Sequence, residues 1–211
     1  MDAVSGLALA SGLSWASGLR LYATVFAVGI LGKFHYIHLP SGLQILTHPA
    51  VFGLAGFLLF IEFLADKFPG IDSLWDAAHT FIRIPAGALL AWGAIDSSDP
   101  WIAACAVLLG GTLAGATHFA KAGGRAVINT SPEPMSNWAA SFGEDGLVAL
   151  GLWAALAHPT AFLIGLAIFV LFLFWFLPKV WRGLKYIAGR VHTLLNGTAA
   201  QPPAVTELDN S

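Results

Sequence analysis

Thr160-Ala-Phe-Leu-Ile-Gly165-Leu-Ala-Ile-Phe-Val170-Leu-Phe-Leu-Phe-Trp175-Phe-Leu177 contains no charged residue. An apolar run of roughly 18 or more residues reads as a transmembrane helix. It has no polar face, so it reads as a plain lipid-facing span. The whole chain fits that solvent. Of 211 residues, 57% are hydrophobic and 10% charged, with a mean hydropathy of +0.74. Soluble domains carry about 25% charged residues. At about 20 residues per span plus a loop, the length predicts an all-α, polytopic transmembrane helix bundle of about six spans. Residues 1–195 form one helical domain in this reading, and 196–211, with Pro202-Pro203, form a disordered cytoplasmic tail.

Lys179, Arg182, Lys185 and Arg190 follow the span on an amphipathic stretch. Such a cluster belongs on the cytoplasmic side. Counting backward places Lys121, Arg125, Lys67 and Arg83 inside and the Asp96–Asp99 loop outside, with Lys33 on the wrong side. Trp101 and Trp181 fit aromatic belts. The expected location is the bacterial inner membrane, with the C-terminus cytoplasmic. The start, Met1-Asp2-Ala3, lacks a basic n-region, so the first apolar stretch is expected to be retained. A net charge of −2 suggests no nucleic-acid partner. Cys105, the only cysteine, sits among apolar neighbours and reads as a buried structural thiol.

Charge is concentrated in Glu62-Phe-Leu-Ala-Asp66-Lys67-Phe-Pro69-Gly70-Ile-Asp72-Ser-Leu-Trp75-Asp76-Ala-Ala-His79-Thr-Phe-Ile-Arg83, between two apolar spans. His48-Pro49 opens the preceding span, since proline suits a helix's first turn. Glu62 and Asp66, four apart, share a face of its last turns. Pro69-Gly70 makes a turn. Ser73 is the expected N-cap, with Asp76 as a capping-box-like partner. Asp72, Asp76, His79 and Arg83 then form one stripe on one helix face. Pro85 is expected to kink that helix. The run from Ala86 to Ile95 is too short to cross alone, which draws His79 and Arg83 toward the membrane.

Val4 to Leu31 is Gly-rich and interrupted at Ser17-Gly18 and Arg20. It is either one tilted helix or two meeting at Gly18, with helix packing the plainer use of its glycines. Lys33 to Thr47 reads as a loop, and its His35/His38 pair lacks a third metal ligand. Trp101 to Ala120 is a further span, ending near His118, Lys121 and Arg125. Asn129 to Ser141 reads as a loop, with Ser141 and Glu144 as a capping box for a helix after it. In this topology Glu144-Asp145 and the Glu62–Arg83 segment face the same side, so they can form one site. A faint duplication pairs Gly18/Arg20 with Gly123/Arg125, and His48-Pro49 with His158-Pro159.

Five pieces together resemble a bacterial family of small multi-pass membrane proteins known only as a domain of unknown function, DUF4126. They are Ser17-Gly18-Leu19-Arg20-Leu-Tyr22; Glu62 to Asp72; His79-Thr-Phe-Ile-Arg83 with Pro85-Ala-Gly87; His118-Phe-Ala-Lys121 with Arg125; and Ser141-Phe-Gly-Glu144-Asp145. The resemblance runs to about Leu177 and implies an integral membrane protein without implying an activity. The family places Pro directly after the Arg, where this chain has Ile84 and then Pro85.

Two uses of the charges weigh about evenly. In the first, Glu62, Asp66, Asp72 and Asp76, with His79, Arg83, Glu144 and Asp145 and the secondary basic set Arg20, Lys121 and Arg125, bind a cation, a proton or a small solute for transport. In the second, Asp66, Lys67, Asp76 and Arg83 are ion pairs that fix helix ends. A third reading is a membrane-embedded enzyme on a phosphorylated lipid or polyprenyl head group. There His79, Arg83, Lys121 and Arg125 would hold phosphate, and Asp72/Asp76 would hold Mg²⁺. No nucleotide-binding or zinc-protease motif supports it. No catalytic residue and no cofactor is expected. The expected partners are the lipid bilayer and a small ion or solute, and the bundle's size allows a homo-oligomer.

Overall fold

A computed structural model of the chain describes residues 2–68, 70–95, 99–129 and 134–196. The helices are α1 (Ala3–Lys33), α2 (Pro49–Ala65), α3 (Ile71–Ala94), α4 (Pro100–Ile128), α5 (Pro134–Ala157) and α6 (Pro159–Asn196), with a short 3₁₀ helix, Ser41–Thr47, before α2. No strand occurs among the described residues. The all-α bundle expected from the sequence is what forms. α1, α4 and the Pro159–Gly183 part of α6 are long and apolar enough to cross a membrane, and the 3₁₀ helix with α2, bent by 66°, makes a fourth if the pair is one span.

Polar side chains set the helix starts. Asp2 accepts the Ser5 N–H at 2.7 Å, His48 Nδ1 that of Ala50 at 3.2 Å, and Asp99 that of Trp101 at 3.1 Å. Each replaces a bond the first turn lacks. Pro49 and Pro100 occupy the first helical positions, where no N–H is needed. His35, at φ 59°, is the left-handed residue just past the end of α1, a structural role for that histidine.

α1 is the axis, packed against each of the other five helices and the 3₁₀ turn. It can sit there because its face is small and apolar all round, with Ala8, Leu13, Ser14, Ala16 and Ser17 completely buried. Gly18 permits a close approach to α4. A Cβ there would lie 2.5 Å from the Ala114 carbonyl oxygen of α4. By contrast, α6 turns Ile164, Ile168, Leu171, Phe174 and Trp175 outward. Apolar patches of that extent need a cover of lipid or protein.

Several boundaries differ from expectation. α1 is two helical segments meeting at a kink at Arg20 (φ −142°, ψ 81°), the second of the two expected interruptions and two residues beyond Gly18. α3 runs through Pro85 as one helix from Ile71, so the expected kink does not divide it. The residue before α3 is Gly70 at φ 87°. Ser73 is not its cap, because the helix starts ahead of it at Ile71 with Gly70 as the capping residue; the Asp72 carboxylate, inside the first turn, accepts from the Gly70 and Ser73 N–H groups at 2.9 and 2.6 Å. α4 continues to Ile128 and α5 starts at Pro134, so much of the expected loop to Ser141 is helix. Ser141 is therefore inside α5 and caps nothing. Proline at a first helical position explains the early start. Cys105 is only partly buried. Pro69, Asp96 to Ser98, Pro132, Glu133 and the tail beyond Asn196 lie outside the described residues, as does the Arg190 side chain.

Candidate functional site

The bend in α1 frees backbone carbonyls inside the bundle. In an unbroken helix the Gly18 and Leu19 oxygens would each accept from the N–H four residues on. Here Gly18 O accepts from Arg83 Nη1 at 3.4 Å, and Leu19 O from Lys121 Nζ at 3.2 Å. Cations on α3 and α4 thus reach the broken turn, and their own charges draw in the carboxylates.

Lys121 is the centre. Its ammonium lies 3.4 Å from Asp76, 3.4 Å from Glu144, 3.5 Å from Asp66 and 3.9 Å from Glu62. Arg83 pairs with Glu62 and, at 3.1 Å, with Asp76 Oδ1. Arg20 Nη1 pairs with Asp66 at 2.5 Å, its Nε with Asp145 at 3.0 Å, and its Nη2 donates to Ser141 Oγ at 2.8 Å. Arg125 grips Glu144 with two parallel bonds of 3.0 and 3.1 Å, the strong fork geometry of guanidinium and carboxylate. Its Nη1 donates to the Asp66 carbonyl at 3.0 Å, tying α4 to the end of α2. Arg20, Arg83, Glu62, Asp66 and Asp72 are all 0% exposed.

Two histidines have assigned protons. His118 Nδ1 accepts from Arg83 Nη1 at 3.1 Å, because a guanidinium only donates. Its Nε2–H therefore donates to Thr80 Oγ1 at 2.8 Å, and that hydroxyl donates to the Asp76 carbonyl at 3.1 Å. His79 Nδ1–H donates to the Trp75 carbonyl at 2.7 Å, leaving Nε2 to accept from the Tyr22 hydroxyl at 2.9 Å. Trp75 stacks on the His79 ring, with 4.0 Å between centroids.

Ten of the eleven residues singled out in the sequence thus meet in one network: Glu62, Asp66, Asp72, Asp76, Arg83, Glu144, Asp145, Arg20, Lys121 and Arg125. His79 stands beside it, joined to Tyr22 instead. The Asp72–Asp76 stripe does not converge on one point. Asp76 meets Arg83 and Lys121, whereas Asp72 accepts from Asn129 Nδ2 at 2.9 and 3.0 Å. Among the described residues, Lys67 makes no close carboxylate pair. Its ammonium rests 3.2 Å from the Phe63 ring centroid and 4.6 Å from that of Phe142. Burial holds its pKa below the usual lysine range, the nearby Arg20 and Arg125 charges deepen the depression, and Asp145 and Asp66 oppose it.

His118, Asn129, Asn137 and Ser141 are in the network but were not among the expected site residues. His118, Lys121 and Arg125 are spaced three and four apart, and that stripe on α4 was a readable signal. Asn137 donates to Asn129 Oδ1 at 2.7 Å across the α4–α5 connection, a pairing with no local sequence mark.

Chemically, the cluster holds six carboxylates against four Arg and Lys side chains. Glu62 Oε2, Asp66 Oδ1 and Asp76 Oδ2 are buried without a hydrogen bond. Among the described residues, no group of three or more His, Cys, Asp or Glu is arranged to hold a metal ion. The positions a metal would take are held by ammonium and guanidinium groups. A family model described as "Domain of unknown function (DUF4126)" matches residues 7–179, which include the whole network. No curated protein and no solved structure matches the chain.

Proposed function

From the premise that this chain belongs to the DUF4126 family, we propose that it is an integral membrane protein in which the buried network takes up and releases protons to drive transport of a cation or small solute. The observation that carries the reading is the surplus of carboxylates around Lys121. Buried charge needs compensation, and an extra negative charge is met by a proton or a small cation. Protons suit this cluster better than metal ions, since its cations are already in place. Intramembrane carboxylates paired in this way mark proton and ion paths. The membrane is the bacterial inner membrane in this proposal. The C-terminus is cytoplasmic, because Lys179, Arg182 and Lys185 follow the apolar part of α6. A C-terminal fluorescent-protein fusion should glow, whereas a periplasmic phosphatase fused there should stay inactive.

The test is flux. Purified protein in vesicles enclosing a pH-sensitive dye is given a pH step, then gradients of sodium, potassium and magnesium. At least one should move protons faster than in protein-free vesicles. Glu62→Gln and Asp76→Asn should remove that flux while still melting close to the parent. A parent no faster than empty vesicles, or variants that conduct normally, would sink the proposal.

A second reading, a purely structural ion-pair core, is favoured by the complete burial of Arg20 and Arg83. It expects both variants to melt markedly earlier, because removing one partner strands a charge. The phosphate-binding reading has less support. Arg83, Lys121 and Arg125 are already engaged by carboxylates.

A further inference from the structure

Lys33-Phe34-His35-Tyr36-Ile37-His38 leaves the end of α1 as basic and aromatic side chains in alternation. The structure keeps the two kinds apart. Phe34 and Tyr36 are 66% and 77% exposed. Lys33, His35 and His38 line one cavity of about 220 Å³, together with Gln44 and Thr47 of the 3₁₀ turn. Hydrogen bonds hold its shape. The Tyr36 N–H donates to the Leu31 carbonyl at 2.9 Å, Gln44 Nε2 to the Leu39 carbonyl at 2.9 Å, and Thr47 Oγ1 to the Gln44 carbonyl at 2.8 Å. Gly32 has no side chain where Leu39 packs, so the segment can fold back on α1.

No acidic residue occurs between Asp2 and Glu62. Among the described residues, no carboxylate pairs with Lys33, His35 or His38. Asp2 shares a neighbouring cavity with His38, but its oxygens are engaged by the Ser5 N–H and hydroxyl at 2.7 and 3.1 Å. A basic residue in a last turn suits the negative end of a helix, and that accounts for Lys33 alone. It leaves the two imidazoles beside it unexplained. Among the described residues they lack the further ligand of a metal site, and the ammonium repels a metal cation. All three side chains can donate hydrogen bonds, a neutral imidazole included. They offer donors and positive charge to an anion, and phosphate takes lysine as a point charge. The cavity is smaller than the roughly 300–1,000 Å³ that holds a whole small molecule. It suits one head group, with the rest of the molecule outside. Phe34 and Tyr36 stand outside, as aromatic side chains do at head-group depth in a bilayer. Lys33 is also the basic residue that the positive-inside count leaves on the wrong side, so its place has another reason.

We propose that this cavity binds the phosphate group of an anionic phospholipid, with Lys33, His35 and His38 on the phosphate oxygens and Phe34 and Tyr36 beside the chains. A free phosphate offers the same oxygens without the chains. The site lies away from the buried network. His38 shares its neighbouring cavity with Ala94 and Ile95 at the end of α3, whereas Asp72, Asp76 and Arg83 lie in the first half of that helix. The inference does not rest on transport, and failure of the flux assay leaves it standing.

Protein in non-ionic detergent is given dioleoylphosphatidylglycerol, dioleoylglycerol or inorganic phosphate. Lipid adducts are counted by native mass spectrometry, and melting is followed in each case. The phosphatidylglycerol adduct should form at least tenfold more readily than the dioleoylglycerol adduct. Lys33→Gln with His38→Gln should cut that excess at least fivefold. So should His35→Asn with Lys33→Gln, since asparagine tolerates the left-handed backbone at that position. Both double variants should melt with the parent, because the altered side chains are exposed. Lys179→Gln with Lys185→Gln, on the other basic stretch, should leave most of the excess. Inorganic phosphate that raises the parent's melting temperature, but not that of Lys33→Gln with His38→Gln, would keep the phosphate site and assign it to free phosphate. Equal adducts of the two lipids with no effect of inorganic phosphate would overturn the proposal. So would a phosphatidylglycerol excess cut less than fivefold by Lys33→Gln with His38→Gln.

Discussion

Lys121 places one ammonium within 3.9 Å of four carboxylates and 3.2 Å of a freed carbonyl, the surroundings a bound cation would have. Such groups stabilise only as a set. Arg83→Met removes the partner of Glu62 and Asp76 and should cost about 3–5 kcal/mol. Combining it with Glu62→Gln should cost less than the two changes separately, with a coupling of about 0.5–3 kcal/mol. Chemical unfolding in detergent measures both, and additivity of the two changes would mean the pair is not coupled. Arg182→Met, which loses only an exposed 3.3 Å bond to the Pro178 carbonyl, should stay within about 0.5 kcal/mol. The acidic members of the set were legible because charge stands out in so apolar a chain. Asn129, Asn137 and Ser141 were not, because a small polar residue near a helix end reads equally well as a cap. Only the partner's position in space decides, and Ser141's partner, Arg20, is far away in sequence.

At the scale of helices, the packing rests on missing side chains. Gly18→Ala would press a methyl against the Ala114 carbonyl and the Thr117 side chain, parting α1 from α4. A cost of about 1–3 kcal/mol is expected. Gly53→Ala, with nothing within 4 Å of the new methyl, should be neutral or stabilise α2 by up to about 1 kcal/mol. Thermal unfolding of both variants separates the cases, and equal effects would remove close approach as the reason for Gly18. The existence of most helices followed from apolar length, and the start of α2 from Pro49. The start of α5 was missed because Pro132, Glu133 and Pro134 together resemble a loop, yet Pro134 opens the helix. The bend of α1 was legible as an interruption. Arg20 was one of the two interruptions read there; what was not legible is that Arg83 and Lys121, from other helices, reach the carbonyls beside it.

At the scale of the molecule, the sequence placed the Glu62–Arg83 segment and Glu144-Asp145 on one side, and the structure joins them into one network. The sequence could not show that α1 is the axis, because an evenly apolar helix carries no mark of which neighbours surround it. That central position bears on how the chain is made. α1 leaves the ribosome before α2–α6, yet Arg20 within it meets no ion-pair partner until Asp66 follows, and its others, Glu144 and Asp145, come still later. An unpaired arginine at mid-span opposes insertion by about 2.5–3.5 kcal/mol on translocon scales. A helix made before the other five is thus not fully paired until α5 follows, and biogenesis must hold it until then.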